Sequence, residues 1–290
     1  MSQDARPATL SPIGQIIRPA DHGSERIPAL RVSARRPGGL LPFQGVAGVG
    51  AQVVDLPSRQ PHEAGADLIE VLGSGFLALD ASCASDLAVV NGARVSFNQA
   101  SDELVEKDAG LIRFLMRERH GSPFEHGYFR FIVKAPLFVV REHHRHRAGH
   151  SYNEWSGRYS RMEPEFYVPD YVRTQVGKPG AYSFEPVSDS ARTLAQDEIR
   201  ENAMRSYEAY ERMLEEGVAK EVARTVLPLS TFTKYLWSCN PRSLMHFCGL
   251  RNHENAQYEI QQYAAAAETF LERLMPITHA AFLANGRIAP

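Results

Sequence analysis

The sequence predicts a mixed α/β (α+β) fold, with helices around a modest central sheet. Three observations carry this. Apolar residues recur at helical spacing between 104 and 116 and again between 194 and 216, and an alanine-rich run spans 255 to 275. The segment Tyr128 to Lys134 instead concentrates the aromatic and β-branched residues that suit a strand. Residues 1 to 65 stand apart: Pro7, Pro12, Pro19, Pro28, Pro37, Pro42, Pro57 and Pro61 fall among scattered Arg and Gly without sustained period. That stretch predicts an irregular or disordered extension ahead of one folded domain over 66–290.

Within the domain, Leu68-Ile-Glu-Val-Leu72 reads as a short strand, and Asp86 to Ser96 as a helix feeding a polar loop. Ser101 or Asp102 can cap a helix running to about Arg119, with Leu104, Leu111 and Leu115 on one stripe and Val105, Ile112 and Met116 beside it. It stops at His120-Gly-Ser-Pro123. After the strand at 128–134, Pro136 takes the first position of a new helix that turns Leu137 and Val140 inward and leads into an Arg/His cluster. A loop of about 30 residues follows, with Pro164, Pro169, Pro179 and Pro186. The second half is helical: an amphipathic stretch over 194–216, a cap and first-turn proline at Asn240-Pro241, and a long helix from Asn255 to Met275 that ends at Pro276.

Composition narrows the function. A formal net charge of -2 over 290 residues argues against holding nucleic acid by bulk positive potential, so the positive charge is local. Cys83, Cys239 and Cys248 lie far apart without CxxC spacing, which fits a reducing, cytoplasmic setting and neither a zinc ribbon nor a disulfide framework. The apolar runs break well before the roughly 20 residues of a membrane helix, so a soluble protein with no membrane partner is expected.

The local charge is concentrated in a cluster. Arg141, Arg145, Arg147, Arg158 and Arg161 fall within 21 residues together with His143, His144, His146 and His150, and only Glu142 and Glu154 offset them. A helix end needs one or two cations to answer its dipole, and five arginines exceed that. Guanidinium forks bind phosphate or carboxylate at two points, while Ser, Asn and Glu read a polar ring; an anionic ligand with a hydrogen-bonding heterocycle is expected. No HExxH pattern or matching cysteine and carboxylate set accompanies the histidines, so no metal is expected. The competing reading is an arginine-rich RNA binder with Tyr152, Trp155 and Tyr159 as stacking platforms. A compact turn, His120-Gly-Ser-Pro-Phe-Glu-His126, presents a hydroxyl, two imidazoles and a carboxylate, although turn chemistry alone explains much of it. Arg224, set in Ala223-Arg-Thr-Val-Leu-Pro228, would need an anionic partner if buried, which a phosphate would supply. Asn240 taken alone reads as a helix cap.

Taken in order, these elements resemble flavin-dependent thymidylate synthase. The residues that carry the resemblance are Ala93-Arg-Val-Ser96; His120-x-x-Pro-Phe-Glu-His126; Arg145-His-Arg147 with Ser151-x-Asn-Glu-x-Ser-Gly-Arg158-Tyr-Ser160; Glu221-Val-Ala-Arg-x-Val-Leu-Pro228; Asn240-x-Arg-Ser-Leu244; Leu250-Arg251; and Glu259-Ile-Gln-Gln262. They span about residues 68 to 285. The chain departs from the pattern in one added residue between Arg147 and Asn153, in Asn255 where histidine is expected, and in Glu142 where glutamine is expected.

The resemblance implies that family's fold, and a homotetramer with sites shared between subunits. It implies conversion of dUMP to dTMP with 5,10-methylenetetrahydrofolate as carbon donor and NADPH as hydride source through tightly bound FAD. By resemblance Glu142, Glu154, Ser156, Gly157, Arg158, Arg224 and Arg251 hold dUMP. Ser96, Ser122, Glu125, Arg145, His146, Arg147, Asn153, Glu154, Asn240, Arg242, His246 and Asn255 hold FAD. Arg251, Ser156 and His120 are the catalytic candidates: Arg251 to polarise the uracil, Ser156 to bind and orient, His120 to sit near flavin and folate. None of the cysteines has the basic neighbours that would activate a thiol, so Cys239 and Cys248 are read as packing residues.

Overall fold

In the computed structural model, which describes residues 67–178 and 181–290, strand β1 (Asp67–Val71) turns through Leu72 and Gly73 at positive φ (54° and 74°) into β2 (Gly75–Ser82). The expected extension over 1–65 lies outside the described residues, as does Pro179. Three more strands complete an antiparallel sheet: β3 (Phe129–Pro136), β4 (His150–Glu154) and β7 (Phe232–Cys239). The strand order is β1-β2-β3-β7-β4, so β4 is an edge strand even though it precedes β7 in the chain. A separate hairpin pairs β5 (Arg173–Lys178) with β6 (Ala181–Pro186).

Helices α1 (Asp86–Arg94), α2 (Asp108–Arg117), α6 (Pro241–Arg251), α7 (Tyr258–Leu274) and α8 (Pro276–Ala284) belong to the main core, with α3 (Leu137–His143) linking β3 to the Arg/His cluster. On α7, Ile260, Tyr263, Ala264, Ala267, Phe270 and Leu271 are buried at three- and four-residue spacing, so one stripe of the helix faces the sheet. Phe131 of β3 lies 5.0 Å from the Trp237 ring of β7 and 5.6 Å from Phe270, which joins the two layers. The approach is close. Tyr263 donates a 2.6 Å hydrogen bond to the Lys134 carbonyl, and a Cβ on Gly75 would sit 2.2 Å from the Tyr263 hydroxyl, so no larger residue fits there. A smaller cluster of Met162, Tyr210 and Ala223 packs under α4 (Asp189–Glu215) and the short α5 (Lys220–Ala223). Among the described residues no helix is long and apolar enough to cross a membrane.

Several expectations need correction. The helix expected from Ser101 or Asp102 begins at Asp108, because Ser101 is taken up by reciprocal hydrogen bonds with Asn91 (2.8 and 2.9 Å) rather than by a cap. Buried Asp108 accepts from Arg94 and from the Val105 amide, leaving Leu104 and Val105 exposed ahead of the helix while Ile112, Leu115 and Met116 enter the core. Pro136 closes β3 and stands as the N-cap of α3, one place before its expected position. The amphipathic segment starts at Asp189, with the Ser188 hydroxyl accepting from the Ala191 amide. Helix α7 ends at Leu274, just before Pro276 as expected, and Pro276 in turn opens α8 at its favoured first position.

Candidate functional site

The Arg/His cluster is divided by the fold. Helix α3 ends at His143, the chain turns through Arg145, His146, Arg147 and Gly149 (φ +71°), and His150 to Glu154 become β4, set by its pairing with β7 (His150 opposite Cys239, Glu154 opposite Tyr235), with Arg158 and Arg161 in the loop beyond. The two ends of β4 are thus four residues, or roughly 13 Å, apart. The imidazoles near the turn are structural in part. His143 is buried, with Nδ1 2.6 Å from the Tyr235 hydroxyl and its ring stacked on Phe247; burial, followed by the nearby His146, His150 and His144 and Arg251, holds its pKa well below the ordinary range. Among the described residues no group of three or more His, Cys, Asp or Glu is placed to hold a metal ion.

At the His150 end, the last residue of α6 reaches into the cluster. The Arg251 guanidinium donates to His146 Nε2 at 3.0 Å, to a Glu142 carboxylate oxygen at 3.0 Å and to the Glu142 carbonyl at 3.4 Å. Burial pushes the Glu142 pKa up; Arg251 pulls against it and Glu259 adds to it. Burial, then Arg251, His150 and His246, lower the His146 pKa to about 4, so it is a neutral acceptor for Arg251 at pH 7. The His246 ring lies 6.2 Å from that of His146. Glu142, His146 and Arg251 therefore form one polar unit with one guanidinium at its centre.

At the other end of β4, Glu154, Trp155, Ser156, Gly157 and Arg224 line a cavity of about 190 Å³ with Leu137, Met162 and Leu227. The Thr233 hydroxyl fixes Glu154 at 2.8 Å, and the Ser156 hydroxyl accepts the Arg158 amide at 3.3 Å, which shapes the loop. A Cβ on Gly157 would sit 2.7 Å from the Met162 sulfur and 3.3 Å from Arg224 Cδ, so only glycine keeps this wall open. Arg224 differs from expectation: it is exposed, because α5 buries Ala223 and the following turn sends Arg224 outward, and its desolvation needs no anion. Arg158 does not line the cavity; it pairs with Glu221 at 3.3 Å and stands over the Tyr159 ring.

A third arrangement, a cavity of about 500 Å³, collects Glu125, Asn240, Arg242 and His246 with Ala148, Gly149, Ser243, Ala289 and Pro290. Asn240 does cap α6 as its sequence suggests, accepting from the Ser243 amide at 2.8 Å. Asn153 lies elsewhere, in a cavity of about 490 Å³ with Trp155, Glu163 and Lys234. Ser96, His120, Ser122, Arg145, Arg147 and Asn255 are exposed and line none of these three cavities. Cys239 and Cys248 are buried, and burial raises both thiol pKa values well above the ordinary range, as befits packing residues.

The thymidylate synthase complementing protein family model matches residues 79–277. The chain belongs to this family, that of the flavin-dependent thymidylate synthases. The flavin-dependent thymidylate synthase of Streptomyces coelicolor is 45% identical over 252 residues, covering 82% of this chain and 100% of that protein. Its counterpart from Thermotoga neapolitana is 45% identical over 216 residues, covering 74% and 94%. Among solved structures, the UMP/dUMP methylase PolB from Streptomyces cacaoi bound with 5-Br dUMP superposes with a TM-score of 0.71 at 44% identity, over 77% of this chain and 100% of that one. The chain is therefore an enzyme of the flavin-dependent thymidylate synthase family, with that family's mixed helix and sheet fold.

In this family member the cavity walls include residues the sequence did not assign to a ligand site. Leu137, Trp155, Met162 and Leu227 close the smaller one, and Gly149, Ser243, Ala289 and Pro290 the larger. Leu137, Trp155 and Ser243 stood out in the sequence as an inward-facing residue, a stacking platform and part of the family resemblance, and Gly149 as a glycine between two polar segments also carried a signal.

Proposed function

We propose that this enzyme converts dUMP to dTMP, with 5,10-methylenetetrahydrofolate as carbon donor and NADPH as hydride source through tightly bound FAD. The observation that carries the nucleotide assignment is the convergence of Glu154, Ser156, Gly157 and Arg224 on one cavity. An exposed guanidinium at its rim answers a phosphate, while Glu154 and the loop held by Ser156 offer acceptors and amides to a pyrimidine edge. Arg251 stands in a half-buried setting where a fixed cation stabilises charge developing on uracil oxygens without reorganising.

The residues fit a flavin. Arg242, His246 and Asn240 give the larger cavity cationic and amide donors, and Gly149 opens its wall. Bound there, FAD would relay hydride from NADPH to the one-carbon unit; the protein's part is to bind, orient and exclude water.

Arg251 and the Glu154 to Arg224 cavity lie toward opposite ends of β4, and Arg251 does not line that cavity. This supports a homotetramer in which one subunit supplies the cavity and another supplies Arg251. The deciding experiment is the absorption spectrum of purified protein, followed by NADPH oxidation and dTMP formation on adding dUMP and the folate. Colourless protein that FAD cannot reconstitute would sink the proposal. UMP is a second candidate acceptor, because the Streptomyces cacaoi methylase was also solved with 5-Br UMP at 43% identity to this chain. Competition between dUMP and UMP ranks the two.

A further inference from the structure

We propose that the segment Asn285–Pro290 is a working wall of the flavin cavity, held shut by a latch at Arg287. The inference rests on the reading that this cavity receives FAD. Ala289 and Pro290 line it beside Asn240, Arg242 and His246. Pro290 is buried, and its carbonyl accepts from Arg242 Nε while a terminal nitrogen of the same guanidinium pairs with Glu125 at 2.5 Å. The other terminal nitrogen has no partner among the described residues and is available to an anionic ligand.

The segment is built to lie there. Gly286 and Arg287 both take positive φ (67° and 61°), folding the chain back on itself after α8, and Asn285 donates to the Ile288 carbonyl at 2.9 Å. Arg287 bonds the buried carboxylate of Glu268, which also accepts from Asn252 at 2.8 Å and meets His279 Nε2 at 3.0 Å. One carboxylate thereby ties together α6, α7, α8 and the segment. The fit against α6 depends on a missing side chain: a Cβ on Gly249 would stand 2.5 Å from the Arg287 carbonyl. Any side chain at 249 must displace the segment at Arg287.

A wall of this kind slows ligand escape and fixes the direction of Arg242. The test follows FAD release from holoenzyme by recovery of free-flavin fluorescence after dilution, in the full chain, in Gly249→Ala, and in a chain lacking residues 287–290. Release at least tenfold faster in the two variants is expected, with thermal unfolding establishing that each is folded. Hydrogen exchange on the unaltered protein supplies an independent reading: amides of residues 285–289 should exchange more slowly once FAD is bound. Release within twofold of the full chain in folded variants overturns the proposal, and so does exchange that FAD leaves unchanged. A full chain that takes up no FAD would overturn the flavin reading of the cavity instead.

Discussion

Arg251 is held by two acceptors of opposite behaviour, a carboxylate whose pKa burial raises and an imidazole whose pKa burial lowers. Both arrangements leave the guanidinium charged and aimed. Replacing Arg251 by Ala should cut kcat/KM for dUMP by about 10²- to 10³-fold, as the loss of one preorganised donor does, with the melting temperature close to unaltered protein. Undiminished dTMP formation would contradict the polarising role. His146 gives a stability prediction. It is buried, with a folded pKa of about 4 against an ordinary 6.5, so between these values the unfolded chain binds a proton that the folded chain refuses. Stability is full above 6.5 and falls as pH drops toward 4, by at most ~3 kcal/mol from this group. Urea unfolding of apoprotein between pH 7.5 and 5 should show a steeper loss than in His146→Gln. At this scale the family resemblance named Glu154, Ser156, Gly157 and Arg224, which line one cavity, and Arg251, which lies outside it, whereas the exposure of Arg224 followed from a turn that its apolar neighbours concealed.

The elements were legible wherever local pattern decides the outcome. Helix α7 lies within the expected 255–275, because its alanine-rich stripe is self-announcing. Strand β7 was missed although Phe232, Tyr235, Trp237 and Cys239 are buried with Lys234, Leu236 and Ser238 alternating between them, a period-two signal that was present to be read. Strand β4 is different: His-Ser-Tyr-Asn-Glu has no apolar face, and only pairing with β7 makes it a strand. Its entry turn is correspondingly sensitive. Gly149 is at φ +71°, and a Cβ there would stand 2.2 Å from the Ser243 hydroxyl, so Gly149→Ala should cost about 2 kcal/mol or more in urea unfolding. The β5–β6 hairpin is pinned to α7 by Arg173, which forks onto Glu259 at 3.0 and 2.9 Å with both side chains largely buried. Removing the carboxylate in Glu259→Ala strands that guanidinium, and a loss of about 3 kcal/mol is expected by the same measurement.

For the whole molecule, β4 separates Arg251 from the Glu154 to Arg224 cavity, and the proposed assembly brings such ends together between copies. Mixing two inactive variants, Arg251→Ala and Arg224→Ala, then dissociating and reassociating them, should restore part of the dTMP formation, since some sites receive both intact halves. No recovery in mixed oligomers would show that each protomer works alone. The motif order gave the family, but which residues belong to one protomer's site is a property of the sheet and could not be read from a linear string. The same sheet governs how the cluster tolerates change in length. Register on β7 alternates the side chains of β4, with Ser151 and Asn153 exposed between the half-buried His150 and Tyr152. Residues can be added ahead of Gly149 without disturbing that alternation, whereas one inserted inside β4 exchanges the two faces, so changes of length in this motif belong before Gly149 and not in the strand.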